Sequence, residues 1–69
     1  MQHRPVNDPA REMLTTIKRS LIESRIHAQE GCAKARRAGD GELAERLYDV
    51  TERISAELDY PEMKLARLT

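Results

Sequence analysis

Ala35-Arg36-Arg37-Ala38-Gly39-Asp40-Gly41-Glu42-Leu43-Ala44 is the stretch whose reading decides the fold. It joins two segments of helical periodicity with only Gly39 and Asp40 between them, so the chain must double back as an antiparallel hairpin. Gly39 suits the left-handed stop of a first helix, and Lys34, Arg36 and Arg37 complement the negative end of that helix's dipole. Asp40 can cap a second helix, whose first turns carry Glu42 and Glu45 near the positive end. A stop signal and a start signal thus stand back to back.

Working outward, Asp8-Pro9 is a helix start, because Asp accepts free first-turn amides and Pro at the first position loses no hydrogen bond. The first helix is expected over 9–38 and the second over 41–58. Pro61 argues against continuation, and Tyr60 before it is biased towards an extended backbone. The chain reads as a single all-α domain over 1–69. It divides into a mobile arm over 1–7, the first helix with its caps over 8–39, the second over 40–59 and a C-terminal tail over 60–69. Met63, Leu65, Ala66 and Leu68 in the tail suit a turn of helix folding back. At ~1.5 Å per residue the helices would be ~45 Å and ~27 Å long, so the shorter would leave residues 13–26 uncovered. A homodimer is therefore expected, in which Leu14, Ile17, Leu21, Ile22 and Ile26 form the interface of a helical bundle.

Wound at helical pitch, Ala10, Leu14, Ile17, Leu21, Ala28, Cys32 and Ala35 make one stripe, and Leu43, Leu47, Val50, Ile54 and Leu58 make its counterpart. The first stripe changes from large aliphatic to small side chains midway. Gly31 within that small half costs roughly 1 kcal/mol against Ala, which a close approach of the neighbouring helix would offset. Ile22 and Ile26 lie off the stripe and call for a second partner surface.

Composition narrows the function classes. The 69 residues hold 12 basic and 12 acidic side chains, two Tyr, and no Trp or Phe. A core drawn from aliphatic residues alone is thin at this length, which again favours oligomerisation. A net charge of zero supplies no global attraction to nucleic acid or anionic membrane. The single Cys32 excludes an internal disulfide and fits a reducing compartment. Residues 1–9 have no apolar core of the kind a signal peptide needs, and no apolar run approaches the ~20 residues of a membrane span. A soluble, intracellular protein is expected. Charge is divided between the helices: seven basic against four acidic residues over 8–39, and two basic against seven acidic over 40–59. Opposite signs favour closure, and Glu42 with Arg46 and Asp49 with Arg53 are spaced to support the second helix.

Catalytic chemistry finds no foothold. His3 lies in the arm; His27 and Cys32 miss the i, i+3 and i, i+4 spacings of paired helical ligands. Cys32 reads as a packed small hydrophobe. No phosphate-cradling glycine loop and no nucleophile with an oriented base is present. No enzymatic activity, metal or cofactor is expected.

Two surfaces remain. Glu45, Glu52 and Asp59 recur every seven residues beside Tyr48. They read either as a solvated face or as an acidic, aromatic-tipped surface for a basic partner such as a regulator's DNA-binding domain, where carboxylates would compete with phosphate. Tyr60 is a second aromatic candidate, or a pin for the tail. On the first helix Arg11, Lys18, Arg25 and Arg36 follow one line. They read as cationic stems edging the apolar interface, or as a phosphate-tracking line of a small DNA- or RNA-binding regulator. The neutral charge and the lack of stacking aromatics oppose the latter.

The long first helix, the Ala38-Gly39-Asp40-Gly41 turn and the run Glu42-Leu43-Ala44-Glu45-Arg46-Leu47-Tyr48-Asp49-Val50-Thr51-Glu52-Arg53-Ile54 resemble the bacteriophage anti-activators of quorum sensing. These are small early proteins that disable host regulators. The resemblance implies an all-helical homodimer that binds the DNA-binding domain of a LuxR-type transcriptional activator and also inhibits the pilus assembly ATPase. It assigns no binding residues. The other functions open to such a hairpin are the nucleic-acid-binding regulator and a structural adaptor that bridges larger proteins.

Overall fold

The computed structural model describes residues 8–68, so the arm over 1–7, including His3, lies outside the described residues. Two helices, α1 (Asp8–Arg37) and α2 (Gly41–Leu68), pack against each other as an antiparallel hairpin. The turn satisfies both helix ends with almost no extra chain. Gly39 takes φ +79°; its N–H donates to the Arg36 carbonyl at 3.0 Å and the Asp40 N–H to the Ala35 carbonyl at 2.9 Å. This pair of bonds closes a left-handed helix stop. Asp40 then caps α2: Oδ1 accepts from the Leu43 N–H at 3.0 Å, and its carbonyl accepts from the Ala44 N–H, also at 3.0 Å.

The second helix differs from the sequence reading. It does not stop near Leu58 but runs through Tyr60 and Pro61 to Leu68, so the helices hold 30 and 28 residues and α2 spans almost the whole of α1. Tyr60 is helical rather than extended, and residues 60–68 continue the helix rather than forming a separate tail. The reason is the seam. Ala44, Leu47, Thr51, Ile54, Leu58, Pro61, Leu65 and Leu68 follow an unbroken alternation of three- and four-residue steps, and all are buried or half-buried. A helix-interior proline costs about 3 kcal/mol. Pro61, itself buried, and the half-buried Leu65 and Leu68 supply apolar contact that a break at Pro61 would forfeit.

The facing stripe on α1 is Arg11, Leu14, Lys18, Leu21, Arg25, Ala28, Cys32 and Ala35, with the same stepping and hence the period of a coiled-coil seam. Cross-helix contacts set the register: Arg11 meets Leu68, Lys18 meets Glu62, Arg25 meets Ser55 and Cys32 meets Ala44. The best-buried cluster, Cys32, Ala35 and Ala44 with Leu47 packed on it, sits beside the turn. Gly31 lies there too, and a Cβ at that position would stand 3.0 Å from Leu47 Cδ1. The close neighbour is thus the end of a leucine side chain.

Gly39→Ala, forced into the left-handed region, lowers unfolding free energy by roughly 1–2 kcal/mol, and Asp40→Ala by about 1 kcal/mol through the lost cap. Urea melts of the two variants followed by circular dichroism check this.

Candidate interaction surfaces

A two-helix hairpin has a seam and two broad faces. Positions seven apart stay on one side of a helix, which sorts the remaining residues. One face carries Ile22, Gln29 and Arg36 of α1 and Tyr48 of α2. The other carries Ile17, Ser24 and Gly31 of α1 and Leu43 and Val50 of α2. Gln29, Arg36, Tyr48 and Glu52 line a shallow groove on the first, with Cys32 and Thr51 in its floor. The floor is internally satisfied: the Cys32 thiol donates to the Ala44 carbonyl at 3.3 Å, and the Thr51 hydroxyl to the Leu47 carbonyl one turn back at 3.0 Å. Cys32 is therefore a buried seam residue with a weak donor in use.

The structure distributes the candidate partner-binding residues unequally. Glu45, Glu52 and Asp59 are exposed and share one line of α2, with Tyr48 (51% exposed) beside them over the groove. Tyr60 (57% exposed) does not join them. At 100° per residue it falls on the other flank of α2, in line with Arg46, Arg53 and Arg67. That cationic line escapes a reading focused on carboxylates, although its seven-residue spacing is visible in the sequence.

The five candidate interface residues also separate. Leu14 and Leu21 are half-buried seam residues under the distal part of α2, so they are not left bare by a short second helix. Ile17 lies on the Val50 face, whereas Ile22 and Ile26 lie on the Tyr48 face. No single flat surface contains all five.

The basic line on α1 changes character most. Arg11, Lys18 and Arg25 are half-buried in the seam rather than arrayed towards solvent. The Arg11 guanidinium donates to the Leu68 carbonyl at 2.7 Å, Arg25 donates to the Ser55 hydroxyl at 3.3 Å, and Lys18 stands 3.9 Å from Glu62. Their stems cover the helix interface while their heads fasten α2. Arg36 alone of the four is exposed, beside the groove. Among the described residues Lys18–Glu62 is the ion pair that needs no protonation of a histidine, and His27 Nδ1 stands 3.8 Å from Glu30; Glu42 with Arg46 and Asp49 with Arg53 do not come within ion-pair distance. Charge division between the helices thus contributes one cross-helix ion pair, at a separation and exposure where such pairs are weak.

No described helix is long and apolar enough to cross a membrane, and no group of three or more His, Cys, Asp or Glu among the described residues could hold a metal ion. No protein-family model matches the chain, and no curated protein and no solved structure matches it.

A surface that does not support the fold is free to serve a partner. Tyr48→Ala and Glu52→Arg are each expected to change unfolding free energy by less than about 0.5 kcal/mol, whereas Leu58→Ala, at the buried seam, lowers it by about 2–4 kcal/mol. Chemical denaturation of the three variants separates the two kinds of position.

Proposed function

We propose that the chain is a small binding protein of the phage anti-activator type, which acts as a homodimer to occupy host proteins. Its main target in this reading is the DNA-binding domain of a LuxR-type quorum-sensing activator, in the host bacterial cytoplasm; the pilus assembly ATPase is a second target. The observation that carries the reading is the exposed line Glu45, Glu52 and Asp59 with Tyr48 over the adjoining groove. Carboxylates at a fixed seven-residue spacing present charge to Arg and Lys that otherwise contact phosphate, and the tyrosine adds contact area at small entropic cost. The target class comes from the resemblance; the surface comes from exposure and periodicity. The alternative of a nucleic-acid binder on α1 loses its support, because three of its four cations are engaged in the seam.

Dimerisation is supported by the thinness of the core. Among the described residues no side chain is fully buried, and Met13, Ile17, Leu43 and Val50 are among the exposed large hydrophobics. From the seam round to the Val50 face, Ala10, Leu14, Ile17, Leu21, Ser24, Ala28, Gly31 and Ala35 of α1 are all uncharged, as are Leu43, Leu47, Val50 and Ile54 of α2. Both rows keep the stepping of a helix-packing stripe. A second hairpin whose turn lies at the same end would lay its leucine-rich row over the small half of α1.

Two experiments test these statements separately. A tagged pull-down from host lysate is expected to recover a transcriptional regulator with the wild type and at least tenfold less with Tyr48→Ala/Glu52→Arg. Recovery of nucleic acid alone, or equal recovery by the variant, contradicts the assignment. Sedimentation equilibrium is expected to show Val50→Glu weakening the dimer at least tenfold, equivalent to about 1.4 kcal/mol, with Ile26→Glu unchanged. A wild type that stays monomeric at high concentration removes the dimer.

A further inference from the structure

The Tyr48 face is divided lengthwise by charge. Its α2 half carries Glu45, Glu52 and Asp59, all exposed. Its α1 half carries Arg19 and Arg36, also exposed, with the half-buried Ile22 and the exposed Ile26 between them in the chain. Among the described residues none of these charges has an ion-pair partner within the chain. They nevertheless fall at matching levels. Arg36 follows Ala35 and Glu45 follows Ala44, and the two alanines belong to one buried cluster beside the turn. Arg19 follows Lys18, and Lys18 stands against Glu62, about one turn beyond Asp59. Cations and carboxylates therefore keep step along the two halves, with Tyr48 and Gln29 lining the groove that separates them.

Such a face is complementary to itself. Two hairpins laid face to face on it can be related by a two-fold axis in two ways. An axis running across the hairpins sets α1 on α1 and α2 on α2, so cations meet cations and carboxylates meet carboxylates. An axis running along them sets α1 of each copy on α2 of the other, with both turns at one end. Opposite charges then meet at both ends of the contact, which favours this arrangement over the first. A two-fold axis in that direction permits no sliding, so residues level within one chain are level between chains. Arg36 comes to Glu45 of the second copy and Arg19 to its Asp59. Ile26 follows Arg25, whose partner is Ser55, so the stretch of α2 around Ser55 of the second copy covers Ile22 and Ile26.

We propose that the Tyr48 face docks on the same face of a second copy in this arrangement. The contact is separate from the Val50-face dimer and weaker than it, because exposed ion pairs contribute little and the apolar part is small. It covers the two isoleucines that the seam leaves outside. It also covers Tyr48 and Glu52, so a second copy and a host partner exclude each other there. That consequence rests on the function proposed above; the contact itself does not.

Sedimentation equilibrium of the full chain carrying Val50→Glu reads this contact with the other one weakened. Reversible dimers are expected at concentrations up to about 1 mM. In that background Arg36→Glu and Glu45→Arg each weaken association by about fivefold or more, because each sets like charges face to face. An equimolar mixture of the two restores opposite charges at both symmetry-related sites. It is expected to associate about tenfold more tightly than either variant alone. Lys34→Glu mixed with Glu57→Arg carries the same net charges at exposed positions off this face, and is expected to keep the parent's affinity within about twofold. A Val50→Glu protein that stays monomeric, a mixture no tighter than its components, or a control mixture tightened equally overturns the proposal. If Arg36→Glu disturbs the end of α1, Arg19→Glu mixed with Asp59→Arg gives the same reading.

Discussion

Everything in this molecule depends on the antiparallel register set at Gly39 and Asp40. A left-handed residue ends one helix, and the next residue both completes that stop and caps the following helix. Because the link is so short, the helices have little freedom to slide. The turn end therefore dictates which residues meet some 40 Å away, at ~1.5 Å per residue. Arg11 against Leu68 and Lys18 against Glu62 are consequences of the turn as much as of their own attraction. In a longer linker the same side chains would find several registers of similar energy.

The turn and the all-helical class are legible in the sequence because their signals are local: one glycine, one aspartate and the charges flanking them. The length of α2 is not, because two rules of different range compete at Pro61. The local rule, that proline breaks a helix, points to an end near Leu58. The non-local fact is that Pro61 falls on the seam and that Leu65 and Leu68 prolong its stepping towards Leu14 and Arg11. Apolar contact with another helix outweighs a missing hydrogen bond, and only the hairpin register reveals that such contact exists. At its full length α2 reaches along α1 to Arg11, so residues 13–26 are not left bare by a short second helix.

A second misreading is rotational. The apolar arc on each helix is wider than one neighbour can cover, so its centre is not the centre of the seam. Leu47, Ile54 and Leu58 are recovered by periodicity, but Leu43 and Val50 are exposed, and Ala44 and Thr51 take their place at the interface. On α1, Arg11, Lys18 and Arg25 fill seam positions that a hydrophobicity pattern assigns to solvent. Their long methylene stems serve as apolar surface while their charged ends reach polar partners. The displaced part of the arc collects on the Val50 face, and the acidic line with Tyr48 lies on the opposite side. The hairpin is thus two-sided, and of the candidate partner-binding residues only Tyr60 fails to lie with the others.

The central structural statement is that α2 stays helical through Pro61 and packs on the aliphatic half of α1. Methyl-resolved NMR of the full chain tests it most directly. The account predicts helical Cα shifts on both sides of Pro61, together with nuclear Overhauser contacts between Leu14 and Leu65 and between Leu21 and Leu58. Extended shifts at Tyr60, with no contact between Leu14 and Leu65, would contradict it and return the hairpin to one long helix with a short partner.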